Sequence, residues 1–451
     1  MHFTRRLLER HPSTALVLVA CVTVPAAAAS CSSADGGPES ELTPEDGGAD
    51  QPHPGADSGP DVTAPDAGSF DGGPLPVVCA SAPCATALVT TRGANASDRG
   101  EGFCALLNDG TVACWGAGSA GQLGRGADDG GIADSAMAER VPGLTKIVSL
   151  DHTCAVDEAG GVYCWGTGPF LQDPLVATTT ERSPVKLALP PATQVGVGAT
   201  TGCAVIESGV VCWGSNARGQ VAPLDSAPFS AVLAARNVEL PPGAPVRQLV
   251  VGETSFAVRM DGTVVSWGAN PPLGRESSLF PDPYPLAIGL TDVTTVDVAD
   301  NNACTTRGGV GFCWGTVLPD PTAGFIHESR LERALPTPVP APEPLVQIAT
   351  TRTTDPTGAR RWCACAAGGD VYCWGANASG QAGDGTLDHA HEPVKVAGLP
   401  APAAAVRTTP NTTCALLTTG KVLCWGTNYY GQLGNGKISE VSLTPKEVML
   451  P

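Results

Sequence analysis

One cassette constrains this chain more than any other feature, because it recurs seven times. It reads HTCAVDEAGGVYCWG at 152–166 and GFCALLNDGTVACWG at 102–116. It returns as TGCAVIESGVVCWG at 201–214, TSFAVRMDGTVVSWG at 254–268 and NACTTRGGVGFCWG at 302–315. The last copies are RWCACAAGGDVYCWG at 361–375 and TTCALLTTGKVLCWG at 412–426. The anchors Trp115, Trp165, Trp213, Trp267, Trp314, Trp374 and Trp425 follow at intervals of 50, 48, 54, 47, 60 and 51 residues. A period of this size marks a solenoid, a propeller or an array, in which each unit buries its apolar face on a neighbour.

Each copy has similar flanks. Upstream stands a strand-like alternation such as Lys146–Leu150 or Arg247–Val251, and before it a Pro/Val/Leu run such as ERVPGL or EPVKVAGLP. Downstream, three copies carry a Gly-rich turn: GQLG at 121–124, GQAG at 380–383 and GQLG at 431–434. The units therefore read as three or four short strands joined by Gly and Pro turns, without helical periodicity. The first copy is entered midway, near Ala85–Leu88, and the chain ends on TPKEVMLP. That phase predicts a ring closed by pairing of the N- and C-terminal strands, which leaves no long open edge.

Seven such units, with a Cys-Ala-Leu hairpin, Cys-Trp-Gly and Gly-Gln-Leu-Gly, resemble the regulator of chromosome condensation repeat family. The resemblance covers roughly residues 80–451; copies two, four and five lack the Gly-Gln-Leu-Gly turn. It implies an all-β, seven-bladed propeller over residues 77–451 and a role in protein–protein contact. The fixed position of Trp in every copy points to blade-to-blade packing rather than a ligand platform.

If Cys154 and Cys164 are cross-strand partners, Ala155 faces Tyr163 and Val156 faces Val162. Opposed strand residues lie within reach of a disulfide. The same reasoning pairs Cys104 with Cys114, Cys203 with Cys212, Cys304 with Cys313, Cys363 with Cys373, and Cys414 with Cys424. Copy four has Phe256 and Ser266 instead, so both cysteines are missing together, as bonded partners would be. Buried free thiols are the alternative, and zinc is disfavoured because close ligand pairs are absent except Cys363-Ala-Cys365. Cys79 with Cys84 makes a small loop, leaving Cys365 odd or exchanging with Cys363. Disulfides imply an oxidising compartment.

The N-terminus has a different composition. Arg5, Arg6 and Arg10 precede an apolar stretch, and Cys31 follows Ala28-Ala29-Ser30, so residues 1–30 resemble a bacterial lipoprotein signal with Cys31 as the acylated residue. Leu18-Val-Ala-Cys21 is the competing processing site. Residues 31–76 read as a disordered acidic tether: 32–76 hold ten acidic residues and no Lys or Arg. Of the net charge of −18, the ring carries −10 and no basic stripe, which argues against nucleic acid.

No nucleophile motif, phosphate-binding loop or dinucleotide fingerprint is present. His152 occupies a position filled by unrelated residues in other copies. His389 and His391, beside Asp388 and Glu392, read as a solvated loop, and Asp128-Asp129 as loop residues. The expected protein is a non-catalytic, envelope-anchored binding or scaffolding module, without cofactor or metal, for another protein or a surface polymer. It would be held through Cys31, in the outer membrane by preference, exposed at the surface or secreted. Competing readings are a propeller-type enzyme inhibitor, guanine-nucleotide exchange on a small GTPase, and a cryptic hydrolase or lyase. The long connections at 167–184, 215–240, 269–285 and 316–344 are where the copies differ, and the Pro-rich LPTPVPAPEPL reads as a stiff surface loop.

Overall fold

The computed structural model describes residues 70, 72–91, 101–126, 134–173, 175–299, 302–315, 335–351 and 361–451. The expected signal segment 1–30, with Cys21 and Cys31, lies outside these residues, as do Asp128-Asp129 and most of the expected tether.

Seven four-stranded antiparallel sheets form the ring. Blade 1 is β1 (Ala85–Thr90), β2 (Gly102–Leu107), β3 (Val112–Gly116) and β4 (Ser135–Arg140). Blade 2 is β5 (Ile147–Asp151), β6 (Cys154–Asp157), β7 (Val162–Gly168) and β8 (Thr179–Lys186). Blade 3 is β9 (Ala192–Val197), β10 (Thr201–Ile206), β11 (Gly209–Ser215) and β12 (Val232–Val238). Blade 4 is β13 (Val246–Val250), β14 (Thr254–Arg259), β15 (Val264–Gly268) and β16 (Asp282–Ala287). Blade 5 is β17 (Val293–Ala299), β18 (Asn302–Arg307), β19 (Val310–Gly315) and β20 (Thr337–Val339). Blade 6 is β21 (Leu345–Thr350), β22 (Arg361–Ala366), β23 (Val371–Gly375) and β24 (Ala390–Lys395). Blade 7 is β25 (Ala403–Thr408), β26 (Thr412–Leu417), β27 (Val422–Gly426) and β28 (Ser442–Glu447).

The cassette makes the two central strands of each blade. The strands can pair this closely because the Gly after each Trp takes a positive φ, from 77° at Gly166 to 122° at Gly315. At Gly116 a Cβ would stand 2.5 Å from the Glu101 carbonyl oxygen. Six of the seven Trp side chains are fully buried, and the seventh, Trp374, is 4% exposed. The apolar core is divided among the blade interfaces. For example, Val112 and Leu106 of blade 1 pack with Ile147, Ala155 and Trp165 of blade 2.

Two readings of the repeat phase need correction. The Pro/Val/Leu run does not begin the copy it precedes: it is the outermost strand of the blade before, as β4 and β8 show. TPKEVMLP therefore completes blade 7 itself, and among the described residues the first and last strands, β1 and β28, share no sheet. Closure comes from a seventh interface that repeats the others. Ala85 N donates to Gly420 O (2.9 Å), as Ile147 N does to Gly110 O (2.9 Å) and Ala192 N to Gly160 O (2.9 Å). Leu416, Val422 and Leu433 of blade 7 bury against Phe103, Leu107 and Trp115 of blade 1.

The described parts of the long connections supply strands: 167–184, 215–240 and 269–285 contain all or part of β8, β12 and β16, and the described end of 316–344 contains β20. The Pro-rich stretch supplies β20, where Phe312 pairs with Pro338. An outermost strand tolerates Pro because its outward N–H groups need no ladder partner. Phe70, placed in the tether by sequence, packs on the apolar cluster shared by blades 6 and 7.

Candidate protein-binding face

An antiparallel four-strand meander sends its first and third connections to the same end. The ring therefore has one face built from all the first-to-second and third-to-fourth connections. Three of the third-to-fourth connections carry a common frame. In blades 3, 6 and 7 it is Asn-x-x-Gly-Gln, beginning at Asn216, Asn377 and Asn428. These Asn side chains are buried, and each Oδ1 accepts a backbone N–H from the far side of its turn: Val221 (3.1 Å), Ala382 (2.8 Å) and Leu433 (3.0 Å). The Gln Oε1 closes the tip by accepting from the residue two before it, as Gln220 does from Arg218 N (2.8 Å) and Gln432 from Tyr430 N (2.8 Å).

The same turns lock neighbouring blades. Trp165 Nε1 donates to Gln122 O (2.9 Å), Trp267 to Gln220 O (2.9 Å), Trp425 to Gln381 O (2.9 Å) and Trp115 to Gln432 O (3.0 Å). Each acceptor belongs to the preceding blade, and Gln432–Trp115 crosses the closing interface. Copies two and four keep the bond without the motif, through Pro169 O (2.5 Å) and Pro272 O (2.8 Å). The acceptor is a backbone carbonyl, so the side chain there is free to vary.

What the third-to-fourth connections expose differs from blade to blade. Blade 7 presents Tyr429, 61% exposed, and Tyr430. Blade 2 presents Leu175, blade 3 Leu224, blade 4 Leu279 and Phe280, and blade 6 Leu387, all exposed. The blade 4 loop is braced from inside. Arg275 Nη1 meets Asp282 Oδ2 at 2.7 Å with both side chains buried, and Asp282 also accepts from Ser277 Oγ (2.8 Å) and Tyr284 N (3.0 Å).

Comparison with known proteins identifies the repeat. Residues 368–416 and 408–432 match the regulator of chromosome condensation (RCC1) repeat. Yeast RCC1 (Prp20), in its structure bound to Kap60, superposes with a TM-score of 0.59 at 19% identity, over 75% of this chain and 83% of that one. Human WBSCR16 gives 0.61 at 19% identity, over 76% and 95%. Residues 368–432 thus carry regulator of chromosome condensation repeats, on a ring with the fold of those two propellers. The Ultraviolet-B receptor UVR8 of Arabidopsis thaliana is 27% identical over 74% of this chain and 76% of its own. The E3 ubiquitin-protein ligase HERC2 of Homo sapiens is 26% identical over 70% of this chain, which spans only 7% of HERC2.

The axis of the ring holds a cavity of about 720 Å³, lined by the first strands of the blades. Its polar side chains bind the inner strand of the next blade. Asp151 Oδ2 accepts from Val197 N (2.8 Å) and Asp297 Oδ2 from Thr350 N (2.7 Å). Gln248 and Gln347 each use both amide atoms, on Val296 and Val406 respectively. Burial raises the Asp297 carboxyl above its ordinary range, with the Arg407 charge opposing. His152 stands in the turn between β5 and β6 at this cavity, and its Nδ1 lies 2.9 Å from Thr90 O of blade 1.

Each of the six hairpin pairs is directly opposed and bonded: Cys104–Cys114, Cys154–Cys164, Cys203–Cys212, Cys304–Cys313, Cys363–Cys373 and Cys414–Cys424, with Cα atoms 4.0–4.1 Å apart. Cys79 bonds Cys84, and Cys365 is a buried free thiol opposite Val371. Phe256 faces Ser266 and packs edge-on against Trp314 at 5.9 Å. The rings of His389 and His391 lie 4.6 Å apart in an exposed segment. The Asn of the turn frame was missed by sequence; its signal is a fixed offset of four residues before Gln.

Proposed function

We propose that this propeller is a non-catalytic binding module whose third-to-fourth connections engage a protein or a surface polymer. The observation that carries the reading is a buried frame shared by blades 3, 6 and 7 with a changing exposed tip. Asn428 and Gln432 hold Tyr429 and Tyr430 outward as Asn216 and Gln220 hold Ala217 and Arg218. A locked frame presents aromatic and aliphatic side chains at small ordering cost, which favours association. Yeast Prp20, similar in fold, is described with Kap60 bound and by its binding to Gsp1p and histones, which supports a protein partner. An anchor on Cys31 would place the ring at a bacterial envelope, outer membrane by preference. The signal-like N-terminus and the opposed cysteine pairs support an oxidising location.

A photo-crosslinking residue at Tyr429, compared with one at Glu207 on the opposite face, tests the binding face in intact cells. Adducts at position 429 alone are expected; equal labelling at both rules out a dedicated face. Intact mass of protein from native membranes tests the anchor. Acylated Cys31 is expected, and an unprocessed N-terminus would reopen the exchange-factor reading.

A further inference from the structure

The outermost strand of every blade is an open sheet edge, and such edges recruit foreign strands unless something guards them. Six of the seven are guarded. Pro184, Pro285, Pro393 and Pro445 stand at one equivalent register position. Each comes immediately before the residue paired with the second hairpin cysteine, or with Ser266 in blade 4. β20 has only three residues and contains Pro338. β4 has no Pro, but its outer side is covered by blade 7: Gly436 N donates to Ala136 O (2.8 Å), and Met137 bridges Asn435.

Blade 3 has neither guard. β12 reads VLAARNV, seven residues without Pro, and Ala235 occupies the register position that Pro fills in the four blades. Residues 234–237 are exposed. Among the described residues, nothing hydrogen-bonds to the outer side of β12 as the glycine loops do at β4, β8 and β28. Its bulge sets only Ala234 and Ala235 opposite Trp213. Arg236 makes no ion pair among the described residues.

We propose that β12 is a docking edge that accepts an extended segment of a partner protein as a fifth strand. The segment is free of Pro, places a carboxylate opposite Arg236 and carries small side chains over Ala234. Main-chain hydrogen bonds give such a contact its affinity, and the side-chain pairs give its specificity. A second copy of this chain is the poorer occupant, because a net charge of −18 repels its own kind. The site lies on the rim and stands independently of the loop face.

The test uses the full chain and a fluorescein-labelled peptide, Thr-Val-Thr-Val-Glu-Val-Thr-Val, read by polarisation. Saturable binding is expected. Ala235→Pro should weaken it by about tenfold or more while leaving the melting temperature unchanged. Arg236→Glu should weaken it similarly and favour the same peptide with Lys in place of Glu. Tyr429→Ala should leave it unaltered, separating this edge from the loop face. The proposal is overturned if the wild-type chain shows no saturation or if Ala235→Pro binds as tightly as wild type. It is also overturned if sedimentation shows a wild-type dimer that Ala235→Pro dissolves.

Discussion

Glu101 of blade 1 and Arg361 of blade 6 grip the same turn of blade 7 from opposite sides. Glu101 accepts from Asn411 N (3.1 Å), Asn411 Nδ2 (3.0 Å) and Thr409 Oγ1. Arg361 donates to Pro410 O (3.2 Å), Thr412 O (2.5 Å), Thr413 Oγ1 (2.7 Å) and Thr409 O. Both side chains are buried, 1% and 2% exposed. Three blades are thus tied at the closing interface, where no shared strand exists.

Removing the cation strands the anion. Arg361→Met also leaves four acceptors of the blade 7 turn, three of them buried, without their donor, and should cost about 3 kcal/mol or more. The double variant with Glu101→Gln should lose less than the two single losses added together. Denaturant unfolding of the four proteins measures this, and strict additivity would show that the two groups act separately.

Glu101 also sets a pH dependence. Burial raises its carboxyl above the ordinary Glu value, opposed by Thr409, Arg361 and Asn411. A carboxyl that holds its proton more tightly in the folded state loses stability as pH rises from the unfolded value through the raised folded one. The urea midpoint of the wild type should therefore fall relative to Glu101→Gln as pH climbs from the ordinary Glu value to neutrality. The opposite slope would mean that the hydrogen bonds outweigh burial.

The indole bonds should be separable from indole packing. Trp115→Phe removes the donor to Gln432 O and should cost about 1–3 kcal/mol beyond the lost contacts. Trp374 Nε1 has no acceptor among the described residues, so Trp374→Phe should be milder. Equal losses in the two variants would show that packing alone holds the blades.

Blade 4 tests what a staple contributes. A hairpin disulfide of this loop size is worth about 2–3 kcal/mol. Phe256→Cys with Ser266→Cys would form one, but it removes a fully buried ring packed on Trp314, a loss of about 3–5 kcal/mol if the space stays empty. No net gain in melting temperature is expected. A clear rise would mean that the neighbours close over the vacated space.

Cys365 should be silent in the native ring. Burial pushes its thiol up to about 12, so the reactive thiolate is scarce. Alkylation of the unreduced protein followed by peptide mapping should label Cys365 only after unfolding, with the six hairpin pairs intact. Rapid native labelling would mean that blade 6 opens locally.

Much of the ring was written in the sequence. Seven Trp-Gly cassettes gave the blade number, and ten- or nine-residue cysteine spacings gave the register, because a strand's two-residue period leaves little choice once a pair is opposed. The blade phase was misread, since a Pro/Val/Leu run adjoins two cassettes and only hydrogen bonding assigns it to one. The Pro272 and Pro169 acceptors were invisible because a carbonyl leaves no mark on the residue type. The Glu101–Arg361 clamp joins positions far apart in the chain, each occurring once, so no repeat or spacing could flag it. The guarded edges show the same division. Sequence alone determined where Pro stands in SPVK, EPVK and TPKE, because local composition records local constraint. Only the tertiary structure decided that Ala235 holds the equivalent register position, that these residues lie on outermost strands and that β4 is covered while β12 is open, because an edge is defined by what comes to lie beside it.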